Sequence, residues 1–153
     1  MKTALSVIGV GLVFVYVIGS GLWVNTGDGW YRSLNQPSWQ PPDFIFGLIW
    51  PYNFVMLGIA AVKVAQTLNR TQTITWLLFF AASVASALVW AYQFYVPHNL
   101  STAALALGFA ALLTIPVLYL TFKASLLVGT LLVPYQVWVI IATTLAWGYS
   151  TRN

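Results

Sequence analysis

The chain reads as an all-α integral membrane protein, a single domain over residues 1–153 built from five membrane-spanning helices and a long first loop. Three observations predict this. Of the 153 residues, 60% are hydrophobic and 5% charged, against about 25% charged in a soluble domain. Apolar runs near the ~20 residues needed to cross a bilayer as a helix follow one another almost from end to end. The apolar/polar alternation of a membrane β-barrel strand is absent, and helices and closed barrels are the two structures that satisfy a backbone in hydrocarbon.

The spans are predicted at Thr3–Val24, Phe44–Ala65, Ile74–Val96, Leu100–Phe122 and Leu126–Tyr149. The first follows Lys2 and invites comparison with a signal peptide. Its apolar run continues to Val24, beyond the usual ~7–15 residues, and no A-x-A-like cleavage site follows, so it is read as a span. The second contains Trp50 and Pro51, the fourth Pro116, and the fifth Pro134 and Trp138. The connections TLNRTQT (67–73), PHN (97–99) and a turn around Lys123 are short enough to make successive helices antiparallel neighbours. The first loop, about Asn25 to Asp43, is the exception.

An odd number of spans puts Lys2, Lys63, Arg70 and Lys123 on one side and Arg32 and Arg152 on the other. That bias predicts a cytoplasmic N-terminal side and an outward-facing first loop, in a bacterial cell membrane. The net charge of +4 rests on eight charged residues with no basic cluster, so nucleic acid is not an expected partner. The chain has no cysteine, and its one histidine, His98, lies in a loop without other ligating residues, so no metal site is expected. Every charged residue falls at or beyond a span end. This excludes the buried carboxylates and proton relays of ion-coupled pumps and of proton-driven drug exporters. No serine or threonine has a base beside it within the membrane, which leaves hydrolytic chemistry unsupported.

Small residues at three- and four-residue spacing, Ala81, Ser83, Ala85 and Ala87 in the third span and Ala104, Gly108 and Ala111 in the fourth, allow close helix approach within one copy or between two. A homodimer is the expectation. Seven of the eight tryptophans sort by depth. Trp23, Trp39, Trp76 and Trp147 fall near span ends, where an interfacial belt accommodates them. Trp50, Trp90 and Trp138 lie deeper. Together with the helix prolines and small residues they suggest a cavity with flat aromatic walls, suited to a large planar ligand. The alternative, that these rings only pack the bundle, stays open.

The segment 30-WYRSLNQPSWQPPDFIFGLIWPYNF-54 carries Trp30, Tyr31, Leu34, Pro37, Trp39, Pro41, Pro42, Phe46, Trp50 and Phe54, with Gly58 following. This resembles the signature of the translocator protein, or tryptophan-rich sensory protein (TspO/MBR), family. A second block, 131-LLVPYQVWVIIATTLAWGY-149, is similar to that family's last helix. The third span departs from the pattern, with Ala87 where an asparagine is usual, and Ala146 follows Leu145 where another often stands. Tyr92 and Gln93 are expected to compensate.

The resemblance implies a five-helix bundle, often dimeric, that binds porphyrins, haem, sterols and benzodiazepine-type drugs, with no obligatory cofactor. Its ligand contacts would be Tyr31, Pro41, Trp50, Phe54, Trp90, Phe94, Trp138 and Ala142, beneath a lid that includes Trp30, Trp39 and Pro42. The implied role is to sense, scavenge or traffic a tetrapyrrole. Two alternatives accompany it: passive porphyrin or sterol transport, and the light-dependent porphyrin breakdown linked to some bacterial relatives, in which the counterparts of Trp50 and Trp138 are implicated. Leu145, Tyr149 and Arg152 also satisfy a permissive sterol-contact pattern.

Overall fold

The computed structural model describes residues 1–153, and every regular element in it is α-helical. In chain order these are α1 (Lys2–Trp23), α2 (Gly29–Ser33), α3 (Asp43–Thr67), α4 (Arg70–Tyr95), α5 (Leu100–Ala124) and α6 (Leu126–Arg152). All but α2 are long and apolar enough to cross a membrane. The five expected spans are present, each within a few residues of its predicted limits. The difference is greatest at the 67–73 connection, where α4 begins at Arg70 and only Leu68 and Asn69 separate it from α3.

Side-chain caps explain that early start. Asn69 accepts from the backbone N–H of Gln72 at 2.8 Å, satisfying a donor that the first turn leaves free. Asn99 does the same for α5 and Ser125 for α6, each at 3.2 Å. Ser125 is at once the last cap of α5 and the first of α6, so that hairpin turns on one extended residue.

The spanning helices form a ring in which α1 packs on α3 and α4, α4 on α5, α5 on α6, and α6 on α3. The α4–α5 and α5–α6 interfaces are the most extensive. Ser83, Ala87, Ala104 and Ala111 are buried there within one copy, whereas Ala85 faces outward. Small residues serve this contact because apolar side chains gain no hydrophobic drive by leaving lipid, so close backbone packing must supply the attraction.

Trp76 corrects the interfacial reading. It is 0% exposed, and its indole N–H donates to the Val117 carbonyl at 3.1 Å and to Thr121 Oγ1 at 3.0 Å. A ring near a span end can turn sideways into the bundle when a neighbouring helix offers an acceptor, and α5 offers two. Trp147 is exposed, and Trp23 is half-buried with its ring edge-on to Tyr92 at 5.4 Å.

Candidate functional site

At the end of the bundle that carries the long loop, α1, α3, α4 and α6 enclose a cavity of about 710 Å³, with the loop across its mouth. Its deep walls are aromatic. Trp50 and Phe54, one helical turn apart on α3, stack with centroids 5.6 Å apart. Across from them on α6, Trp138 meets Trp50 at 6.4 Å, nearly perpendicular. Trp90 and Phe94 project from α4, again one turn apart, and Ala142 lies one turn beyond Trp138. Tyr16 of α1 forms part of the floor, its ring 6.1 Å from Trp50 and 5.1 Å from Phe54, while its hydroxyl accepts from Tyr135 at 3.2 Å.

Of the eight residues expected to contact a ligand, seven line this cavity: Tyr31, Trp50, Phe54, Trp90, Phe94, Trp138 and Ala142. Pro41 is absent from the lining. It stands between Gln40, which does line the cavity, and Pro42, the residue that precedes α3. Tyr92 and Gln93, expected to replace missing polar contacts, also lie outside the lining. Tyr92 packs against Trp23, and the Gln93 carbonyl accepts from Asn99 N–H at 2.7 Å.

Buried polar atoms occur elsewhere instead. Trp138 is 4% exposed and its indole N–H has no protein partner. Asn53, on α3, is 0% exposed with both amide atoms unpaired. Gln136 donates to the Ala111 carbonyl at 3.0 Å but leaves its own oxygen unpaired. An unpaired polar atom in a membrane interior is costly, so native structures carry few of them.

The loop folds over the cavity as a fixed cover. Asp28 caps α2 by accepting from Tyr31 N–H at 2.9 Å, which orients Tyr31 and Arg32 toward the mouth. Gln40 Nε2 donates to the Tyr31 hydroxyl at 3.4 Å, and Tyr149 of α6 donates to Gln40 Oε1. The cover is anchored at both ends. Trp30 stacks flat on His98 with centroids 3.6 Å apart and planes at 6°. His98 holds φ 60°, a left-handed backbone uncommon outside glycine, at the turn between α4 and α5.

At the other end, Asn35 N–H donates to Asn153 Oδ1 at 2.9 Å and Asn35 Nδ2 to the Arg152 carbonyl at 3.1 Å. The Arg152 guanidinium lies 4.7 Å from the Trp39 ring centroid. Beneath them, a Cβ added to Gly148 would stand 2.6 Å from Pro37 Cγ and 2.9 Å from Trp39 Cζ2, so the loop seats on α6 only where that side chain is missing.

Trp30, Trp39 and Pro42 therefore belong to the cover without lining the space below it. Trp39 is 48% exposed and its ring lies against Gly148 and Arg152. The three residues of the sterol-contact pattern divide: Leu145 and Tyr149 are buried and line the cavity, while Arg152 holds the cover. Sequence reasoning missed Tyr16, Gln40 and His98. A tyrosine in a run of Val, Ile and Gly was a signal for the first. The other two become functional only through contacts with residues distant in the chain.

The fold and this recess define a class: a five-span helical membrane protein with a covered aromatic cavity at one end of its bundle. The chain belongs to the TspO/MBR family, which it matches over residues 5–152. It is 30% identical over 139 residues to the tryptophan-rich sensory protein of Cereibacter sphaeroides, covering 88% of this chain and 86% of that one. With the Rhodobacter capsulatus protein CrtK it shares 30% identity over 117 residues, 76% and 73% of the two chains. The Homo sapiens translocator protein is 27% identical over 134 residues, 84% of this chain and 77% of the relative. The chain is a multi-pass membrane protein, and its family supports a sensory or translocator role.

Proposed function

We propose that this protein binds a tetrapyrrole, such as protoporphyrin or haem, in the covered cavity and senses, scavenges or traffics it. The observation that carries the reading is the cavity wall: Trp50, Phe54, Trp90, Phe94 and Trp138 surround about 710 Å³, within the ~300–1,000 Å³ of small-molecule sites. Flat π-systems stack or meet edge-to-face, so this wall favours a planar, apolar guest. The unpaired Trp138 N–H offers a donor to an acceptor on that guest. The mouth is polar, with Arg32, Gln36, Gln40, Tyr31 and Asp43, and suits a molecule with one charged edge. By the positive-inside rule, the end bearing Lys2, Lys63, Arg70 and Lys123 is cytoplasmic and the cover faces outward.

Titration of protoporphyrin IX into the purified protein, followed by tryptophan quenching, tests the assignment. Trp50→Ala and Trp138→Ala should each weaken binding at least ~5-fold, since each removes a base-sized stacking surface worth ~1–3 kcal/mol. Parent-like affinity in both variants would place the guest elsewhere.

A second reading, light-dependent breakdown of the bound porphyrin by dioxygen, is favoured by the contact of Trp50 with Trp138 on the same wall. Illuminated and dark samples of the porphyrin complex should then diverge in absorbance, with Trp138→Phe slowing the change. Equal spectra after long exposure exclude it.

A further inference from the structure

A second recess of about 640 Å³ opens on the membrane face of the bundle, between α1 and α3. The two helices touch at Gly9, where an added Cβ would meet the Ala61 Cβ at 2.7 Å, and Lys2 Nζ donates to the Gln66 carbonyl at 3.0 Å. Beside that contact they leave a groove walled by Val10, Phe14 and Val17 of α1 and by Val55 and Ile59 of α3. Gly58 forms its bed, and a Cβ built there would meet nothing within 4 Å.

The groove has a direction. Its deep end is at Val17 and Phe54, which it shares with the covered cavity, and its outer end is at Lys63 and Gln66. From Phe54 to Gln66 the helical rise is about 18 Å, close to half of the ~30 Å hydrocarbon thickness. It therefore runs the depth of one leaflet.

Charge marks the outer end. Lys63 is exposed, Lys2 reaches the Gln66 carbonyl nearly one turn further along α3, and Arg70 and Lys123 lie at the same end of the bundle. Both acidic residues, Asp28 and Asp43, are at the opposite end. We propose that the groove holds one acyl chain of an anionic glycerophospholipid, with the headgroup phosphate at Lys63.

The apolar trunk matches a chain from a single leaflet, and the cationic end, without any acid at its level, matches an anionic head. A second copy of this chain fits less well. In a two-fold parallel dimer the cations of one copy would face those of the other, with no carboxylate to offset them.

The test is native mass spectrometry of the protein released from nanodiscs of equimolar phosphatidylglycerol and phosphatidylcholine. One phosphatidylglycerol per chain should be retained in preference to phosphatidylcholine. Lys63→Gln should lower that preference about five-fold, and Gly58→Phe, which fills the bed, should lower retention of both lipids. Far-UV circular dichroism checks that each variant is folded, and Lys63 lies on the surface, where its replacement leaves the bundle intact. Equal retention of the two lipids by the parent overturns the proposal, as does an unchanged preference in Lys63→Gln. So does recovery of a lipid-free dimer that Gly58→Phe separates, which would give the groove to a second copy.

Discussion

Residue by residue, the cavity combines aromatic rings, which would accept a flat guest, with a few polar groups that would discriminate among such guests. Arg32 is the one cation on its lining, and the cap at Asp28 sets the short helix that presents it. If it pairs with a carboxylate of the guest, Arg32→Gln should weaken protoporphyrin binding by about 1 kcal/mol, or ~5-fold, while leaving protoporphyrin dimethyl ester unaffected. Isothermal titration of the two ligands reads the difference. Asn53 offers an opposite case, a buried amide with no partner for either of its atoms. Asn53→Leu, of similar size, should stabilise the protein by about 1–3 kcal/mol, the desolvation cost of an unmade hydrogen bond. Thermal unfolding in detergent measures it, and an unchanged or lower midpoint would show that the amide is satisfied in the membrane.

At the scale of elements, the cover is held by its ends. The flat Trp30–His98 stack ties α2 to the α4–α5 turn, and the Asn35–Asn153 and Trp39–Arg152 contacts tie the proline segment to the end of α6. Pro37 and Trp39 of the loop pack directly on Gly148, so Gly148→Ala must push them outward. Porphyrin dissociation should then speed up several-fold in stopped-flow measurements, with helix content unchanged. In the last span a neighbour bonds near the turn that Pro134 interrupts. Tyr52 of α3 donates to the Leu131 carbonyl, three residues before Pro134, at 2.6 Å.

For the whole molecule, the ring of five helices places the covered cavity at one end and most of the cations at the other. Because the chain has no cysteine, single substitutions report the orientation directly. With the proposed topology, Ser33→Cys should react with a membrane-impermeant maleimide added outside intact cells, and Thr71→Cys only after lysis; the reverse pattern inverts the protein.

The span count and the helical class were legible in the sequence, because twenty-residue apolar runs admit one backbone solution in hydrocarbon. So was the depth of Trp50, Trp90 and Trp138 along their spans, whereas Tyr31, Phe54, Phe94 and Ala142 came through the family resemblance and Tyr16 and Gln40 went unread. Only the tertiary structure decided which polar groups would meet. Trp76 reads as an interfacial ring until α5 supplies its acceptors, Arg152 as a sterol contact until Trp39 stacks on it, and His98 as a loop residue until Trp30 covers it. Periodicity along a chain fixes the direction a side chain takes from its own helix, but its partner is chosen by the packing of segments up to 119 residues away.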